Sequence, residues 1–259
     1  MVMRVRGTEA DRWAHVQFGL IVTGETEQRC LADLFRILAS QSNCSFKVIR
    51  RIAQRSPITS EKRIQKMVGT GKKIPDRDAE QIGFPAWDFL CSGGRFVILV
   101  DDLEASRAEK ADAVFGRYRE ALDTVLGDSM SARAAVHFLA NMLEAYYFGD
   151  ARAVNEVLGT DLEDFDGDVE TIKHPKNDLK SLCARFNEKE HGPMIVKRLD
   201  VQHVLAQRER CAFIRTMFKW ASVAADATAW LPAGCLHSTT MGQIDALEEF
   251  LHSGAESKA

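Results

Sequence analysis

HVQFGLIVTG, residues 15–24, followed by ETEQRCLADLFRILAS, residues 25–40, decides the fold. The first stretch is an apolar run with β-branched residues that stops at Gly24, the pattern of a strand buried on both faces. The second places Cys30, Leu31, Leu34, Phe35 and Leu38 at helical spacing, with Thr26 as N-cap and acids in the first turn. Strand, glycine turn and amphipathic helix open a βαβ unit.

The same grammar continues along the chain. CSFKVIRRIAQ (44–54) reads as a second strand, SPITSEKRIQKMVG (56–69) as a helical pattern with a polar start, and GTGKKIPDRD (69–78) as a loop. RFVILVDD (95–102) is the most hydrophobic short run and stops at two aspartates. Residues 107–126 form a long amphipathic helix, SARAAVHFLA (131–140) a fourth strand, and residues 141–159 a helical stretch. Strands interleaved with helices predict a mainly parallel, Rossmann-like α/β sheet flanked by helices, with right-handed crossovers. Beyond Gly159 come an acidic loop (DLEDFDGD, 161–168), a Lys/His/Pro segment (IKHPKNDLK, 172–180) and helices, of which residues 200–225 are the clearest. With no low-complexity linker or internal repeat, residues 1–259 read as one domain, with 160–252 a mostly helical extension packed on it. The last residues, 253–259, are expected to fray.

Hydrophobic residues at 46% and charged ones at 27% exclude disorder as the main state. A signal peptide and a membrane span both need longer apolar runs than this sequence holds, so a cytoplasmic protein is expected. The six cysteines lie far apart without zinc-ligand spacing, and read as reduced, mostly buried thiols. Net charge is −3, but Cys44 to Lys73 carries nine basic residues (Lys47, Arg50, Arg51, Arg55, Lys62, Arg63, Lys66, Lys72, Lys73) against Glu61 alone. That local +8 leaves −11 on the rest of the chain. Such a cluster is either a solvated face or a surface that meets a polyanion backbone without reading its sequence.

Ligands of open α/β sheets sit outside the carboxyl ends of the strands. This chain delivers carboxylates there: Glu25 and Glu27 after strand one, Asp101, Asp102 and Glu104 after the third, Glu144 after the fourth. Glu25 and Glu27 also suit a helix N-terminus. Asp101 and Asp102 gain nothing from ending a buried strand, and Glu144 among Phe138, Leu139, Met142, Tyr146 and Tyr147 needs a metal or a basic partner. Converging carboxylates repel unless a cation neutralises them, and hard oxygen ligands suit Mg²⁺ or Mn²⁺.

VTGETE before an amphipathic helix resembles the glutamate motif of topoisomerase–primase (Toprim) domains, and ILVDDLE resembles their strand ending in spaced acids. MLEAYYFGD is similar to a third acidic motif of small Toprim-like proteins of prokaryotic defence loci, relatives of the OLD-family nucleases. KHPKNDLK and MIVKRLDV look like that group's lysine-bearing segments. The resemblance spans roughly residues 15–220. It implies a metal-dependent nuclease or related phosphodiester enzyme with Glu27, Asp101, Asp102, Glu104 and Glu144 holding Mg²⁺ or Mn²⁺. Glu27, Asp102 and Lys197 are its implied catalytic residues, and a partner ATPase is implied with them. Lys176 or Lys197 would meet phosphate or remain at the surface, while Arg50, Arg51, Arg55, Lys62, Arg63, Lys72 and Lys73 would line the nucleic acid. One departure is Thr23, where many Toprim proteins carry glutamate. It favours the alternative, a catalytically inactive module that binds nucleic acid or a partner ATPase.

Other motifs fail on spacing. VGTGKK (68–73) lacks the first glycine and the hydroxyl residue of a phosphate loop, and DFDGD has Leu162 and Lys173 at two calcium-ligand positions. His137, inside an apolar strand, reads as a core histidine. A phosphoacceptor receiver is shorter and carries its acid pair on the first strand.

Overall fold

The computed structural model describes residues 15–55, 77–227 and 233–256. Four parallel strands, β1 (Val16–Val22), β2 (Cys44–Arg51), β3 (Arg95–Leu103) and β4 (Ala134–Ala140), are ordered β2-β1-β3-β4. The chain moves outward from β1 to β2 and then returns past β1 to β3. This reversal makes the gap between the carboxyl ends of β1 and β3 a topological switch point, where open α/β sheets bind ligands.

Alternation along each strand sends side chains to two cores. Phe18, Leu20 and Val22 with Phe96, Ile98 and Val100 face one side, and Ile21 with Val97, Leu99 and Leu103 face the other. The first side is covered by α1 (Glu25–Leu34), α2 (Arg36–Gln41), α9 (Glu188–Val196) and α11 (Ala212–Ala224). The second is covered by α3 (Phe84–Leu90), which follows a π-helical turn at Ala79–Gly83, and by α5 (Ala111–Asp123). Both faces of β4 are buried, and its outer edge is closed by Gln243, whose amide accepts from Val136 N and donates to Val136 O, both at 2.8 Å. Such a clasp keeps a buried edge strand from pairing further.

After α7 (Ala151–Leu158), the helices α8 (Pro175–Leu182), α10 (Val201–Val204) and α12 (Ser238–Glu256), with α9 and α11, form the expected extension. Glu170 pins it down. Its half-buried carboxylate accepts from Tyr146 Oη (2.8 Å) and from the Phe213 and Ile214 amides (3.1 Å) at the start of α11. Desolvation still pushes its pKa up to about 7. In the acidic loop, Asp164 accepts from Ala151 N, and Asp168 accepts from Glu170 N and Cys211 N, so those two acids are caps.

Several expected helices break. Residues 107–126 give way to α4 (Ala105–Ala108) and α5, because Arg107 turns inward to bind Asp101 and the carbonyls of Asp102 and Arg55. Residues 200–225 are interrupted between α10 and α11, where buried Arg215 gathers the Leu205 and Gln207 carbonyls and Cys211 adopts φ +61°. Leu143–Gly149 is a 3₁₀ helix rather than α. Helix α1 begins at Glu25 with Gly24 as N-cap, so Thr26 lies inside it. The expected helix at 56–69 and most of the loop at 69–78 lie outside the described residues. Among the described residues no helix is long and apolar enough to cross a membrane, and no cysteine is in a disulfide. Burial pushes the Cys30 thiol up to about 12, which suits a packing role and not a nucleophile.

His137 is fully buried beside Trp220, with ring centroids 6.2 Å apart. Desolvation pushes its pKa down to about 3, so folding excludes a proton that the unfolded chain binds below its ordinary value of 6.5. Its contribution therefore makes stability fall as pH drops from 6.5 toward 3, by about 1.4 kcal/mol per pH unit. In urea titrations, His137→Phe is expected to remove this slope; a wild-type slope retained in the variant would place the acid sensitivity elsewhere.

Candidate functional site

The site forms where β1 and β3 end. Gly24 closes β1, and the Glu27 carboxylate folds back so tightly that a Cβ on residue 24 would lie 1.6 Å from Glu27 Oε2. Only glycine allows that approach. Asp102, on the same face of β3 as Val100, lies where the charge of Glu27 adds to the rise of its pKa. Glu144 enters from the turn after β4, where Asn141 and Met142 take φ values of +53° and +89°. Backbone outliers of this kind cost about 1–3 kcal/mol and persist where surrounding structure enforces them. Here Asn141 is held by Leu103 O through its amide and by Glu170 O through its side chain.

Three carboxyls thus meet under α9. Glu27 is 3% and Glu144 0% exposed, and Asp102 Oδ1 is sealed from solvent. Desolvation raises all three pKa values, Glu144 to about 7 and Asp102 well above the carboxylate range; the charges of Glu27, Glu144 and Asp101 add to the rise at Asp102. Lys176, on α8, brings an ammonium to the cluster that opposes these shifts. Its Nζ lies 3.7 Å from Glu144 Oε1 and 3.0 Å from Glu188 Oε2. Burial alone would lower its pKa, but Glu144 and Glu188 hold it above the ordinary lysine value. Glu188 and Tyr147 belong to this chamber although the sequence reading missed both. At a charged helix start Glu188 looks like a dipole partner, and Tyr147 looks like a core aromatic.

Asp101 does not join the cluster. The pleat turns it to the opposite face, where Oδ1 accepts from Thr23 Oγ1 (2.8 Å) and Oδ2 from Arg107 (2.7 Å) and Tyr118 (2.9 Å). Thr23 therefore serves the Asp101 bridge between β1 and β3. Glu104 stands past the end of β3, at the N-cap of α4. Lys197 is exposed at the far end of α9, roughly 13 Å along the helix from Glu188, and does not reach the cluster. Glu25 is tied to Arg29 and Lys189 at the surface. Arg50 and Arg51 are exposed at the carboxyl end of the edge strand β2, on the rim where the site lies. Arg55 is buried against Asp78 (2.8 Å), which also holds Arg117, so it cannot serve as a phosphate contact. Lys62, Arg63, Lys72 and Lys73 lie outside the described residues. A surface cavity of about 300 Å³ lies elsewhere, beside Arg36, Arg152 and Arg198, whose guanidinium groups are spent on backbone carbonyls and on Asp150 and Glu156.

The donor set fits a hard divalent cation in chemistry. Both Glu144 oxygens, Asp102 Oδ1 and Tyr147 Oη are buried without a hydrogen-bond partner among the described residues. Among the described residues, however, no group of three or more His, Cys, Asp or Glu side chains is placed so that it could hold a metal ion. Searches against family models, curated proteins and solved structures return no match for the chain.

Two stability measurements follow from this division. Asp101→Ala strips three donors of their buried acceptor and is expected to cost about 3–5 kcal/mol in chemical denaturation; a loss below 1 kcal/mol would contradict the bridging role. Glu144 has the opposite sign, because its folded pKa of about 7 exceeds the ordinary 4.5. Its contribution is intact below pH 4.5 and lost as pH rises through 7, so Glu144→Gln should gain on the order of 1–3 kcal/mol over wild type between pH 4.5 and pH 8 without added metal. A constant difference across that range would mean that Glu144 is ionised at no cost.

Proposed function

We propose that the chain is a divalent-cation-dependent phosphodiester enzyme, a nuclease of Toprim type, with Glu27, Asp102 and Glu144 as its cation ligands. The observation that supports the cation site is that the buried oxygens of Glu144 and Asp102 Oδ1 have no hydrogen-bond partner among the described residues, near the switch point of the sheet. Glu27, Asp102 and Glu144 would hold Mg²⁺ or Mn²⁺, which supplies Lewis-acid stabilisation of charge on phosphate oxygens. Arg50 and Arg51 on the β2 rim would meet the nucleic-acid backbone, and Lys176, beside Glu144 and Glu188, would meet a phosphate. The nucleic-acid substrate, the role in prokaryotic defence and the partner ATPase rest on the motif resemblance alone.

A second reading has its own support. Thr23, spent on Asp101, supplies no acid, and Lys176 already neutralises part of the cluster. Both features suit an inactive module that binds nucleic acid or a partner ATPase.

Calorimetry with Mn²⁺ and Mg²⁺, run beside plasmid and RNA cleavage, separates the readings. Wild type is expected to bind, Asp102→Asn and Glu144→Gln to bind at least tenfold more weakly, and cutting to follow the metal. Binding without cutting supports the inactive module; no binding by a folded wild-type protein removes the cation reading.

A further inference from the structure

Three helices that follow β4 meet around a second cavity. Val157 and Leu158 end α7, Cys183 and Arg185 lie in the turn that leaves α8, and His191 stands near the start of α9. Together they line a space of about 180 Å³. Pockets for drug-sized ligands run to roughly 300–1,000 Å³, so an occupant here has to be small. The apolar wall is the rim of the larger core, in which Leu158 is buried and against which Val157 and Cys183 pack.

The polar groups of this cavity are held in place but not used up. Cys183 O accepts from Phe186 N (2.8 Å), closing a turn that carries Arg185 inside it. The Arg185 guanidinium itself has no hydrogen bond or ion pair among the described residues. His191 Nδ1 accepts from Asn187 N (2.9 Å), which leaves the hydrogen of a neutral ring on Nε2, and the ring stacks on Phe186 with centroids 6.1 Å apart. Nε2 has no partner among the described residues. No Asp or Glu is among the described residues that line the space. The larger cavity differs on both counts, because Asp200 lines it and its guanidinium groups are bonded to carbonyls and carboxylates.

Uncommitted donors beside an aliphatic wall, with no carboxylate among them, suit an anion that carries a hydrocarbon chain. The planar guanidinium fork matches the two oxygens of a carboxylate, and an imidazole N–H adds a further bond. Inorganic phosphate has nothing to lay on Val157 and Leu158, and a cation would meet a guanidinium of its own sign. We propose that this cavity binds a small aliphatic monocarboxylate, with Arg185 and His191 holding the carboxylate and Val157 and Leu158 covering the chain. The Cys183 thiol at the same wall reports occupancy. The site shares no residue with Glu27, Asp102 and Glu144, and the reading of those acids does not depend on it.

The test uses the full chain and two alkylating reagents that differ in charge. Iodoacetate carries a carboxylate and iodoacetamide does not; with either one the Cys183 thiolate forms an S–C bond and expels iodide. Exposed Cys91 is the internal reference. Followed by peptide mass spectrometry, the rate with iodoacetate relative to iodoacetamide is expected to be about tenfold higher at Cys183 than at Cys91, the worth of one hydrogen bond between charged partners. Butyrate is expected to protect Cys183 and not Cys91, while butyramide and phosphate protect neither. Arg185 is exposed, so Arg185→Gln should fold as wild type does and bring the ratio at Cys183 down to that at Cys91. Lys173→Gln removes the same charge from an exposed residue outside the cavity and should leave the ratio unchanged. Equal ratios at the two cysteines, protection by phosphate or butyramide to match butyrate, or an equal effect of the two variants overturns the inference. Should Cys183 react with neither reagent, ring-labelled histidine decides: butyrate must shift the His191 resonances in wild type and not in Arg185→Gln, and the absence of a shift in wild type overturns the inference.

Discussion

The pleat at the end of β3 is the constraint from which the site follows. Two adjacent aspartates leave a buried strand, and alternation sends them to opposite faces. Asp101 becomes the hub of a bonded network. Through Thr23 it joins β3 to β1, and through Arg107 and Tyr118 it fixes the chain leaving β2, because those two groups bond Arg55 O and Arg55 N. Every oxygen of that carboxylate is used. Asp102, one residue on, lies in the fields of Glu27 and Glu144, with Lys176 supplying positive charge. A shift of register by one residue would exchange the two roles and leave neither face satisfied.

The two faces differ in thermodynamic character. The Asp101 face pairs charges and stabilises the fold. The Asp102 face gathers carboxyls whose pKa values are raised by burial and mutual repulsion, and it is reached through a strained turn at Asn141 and Met142. Proteins keep such unfavourable arrangements where a ligand is to be bound, and offset them elsewhere. The offset here is visible: Glu170 and Tyr146 brace the 3₁₀ helix carrying Glu144, and α9 seals the chamber against α1 through Gly192.

Much of this was legible before any coordinate. The four strands, the helical extension and the supply of acids after the strands' carboxyl ends follow from apolar runs, helical spacing and the order of residues along the chain. Helix breaks at Arg107 and before Cys211 were not legible, because a side chain folding back on distant carbonyls leaves no local signal. For the same reason Arg55 read as a phosphate contact: one basic residue in a basic run looks like its neighbours until Asp78 is brought beside it.

Local pattern thus determined the class of fold and the supply of acids, since hydrophobic period and strand ends are properties of neighbouring residues. Tertiary structure decided which acids serve as bridge and which as cluster, that Lys176 and Glu188 enter the chamber while Lys197 does not, and that the Tyr147 hydroxyl is buried without a partner among the described residues. Those outcomes depend on how α8, α9 and the 3₁₀ helix pack on the sheet, bringing together residues more than a hundred positions apart, and no periodicity in one segment encodes such a meeting.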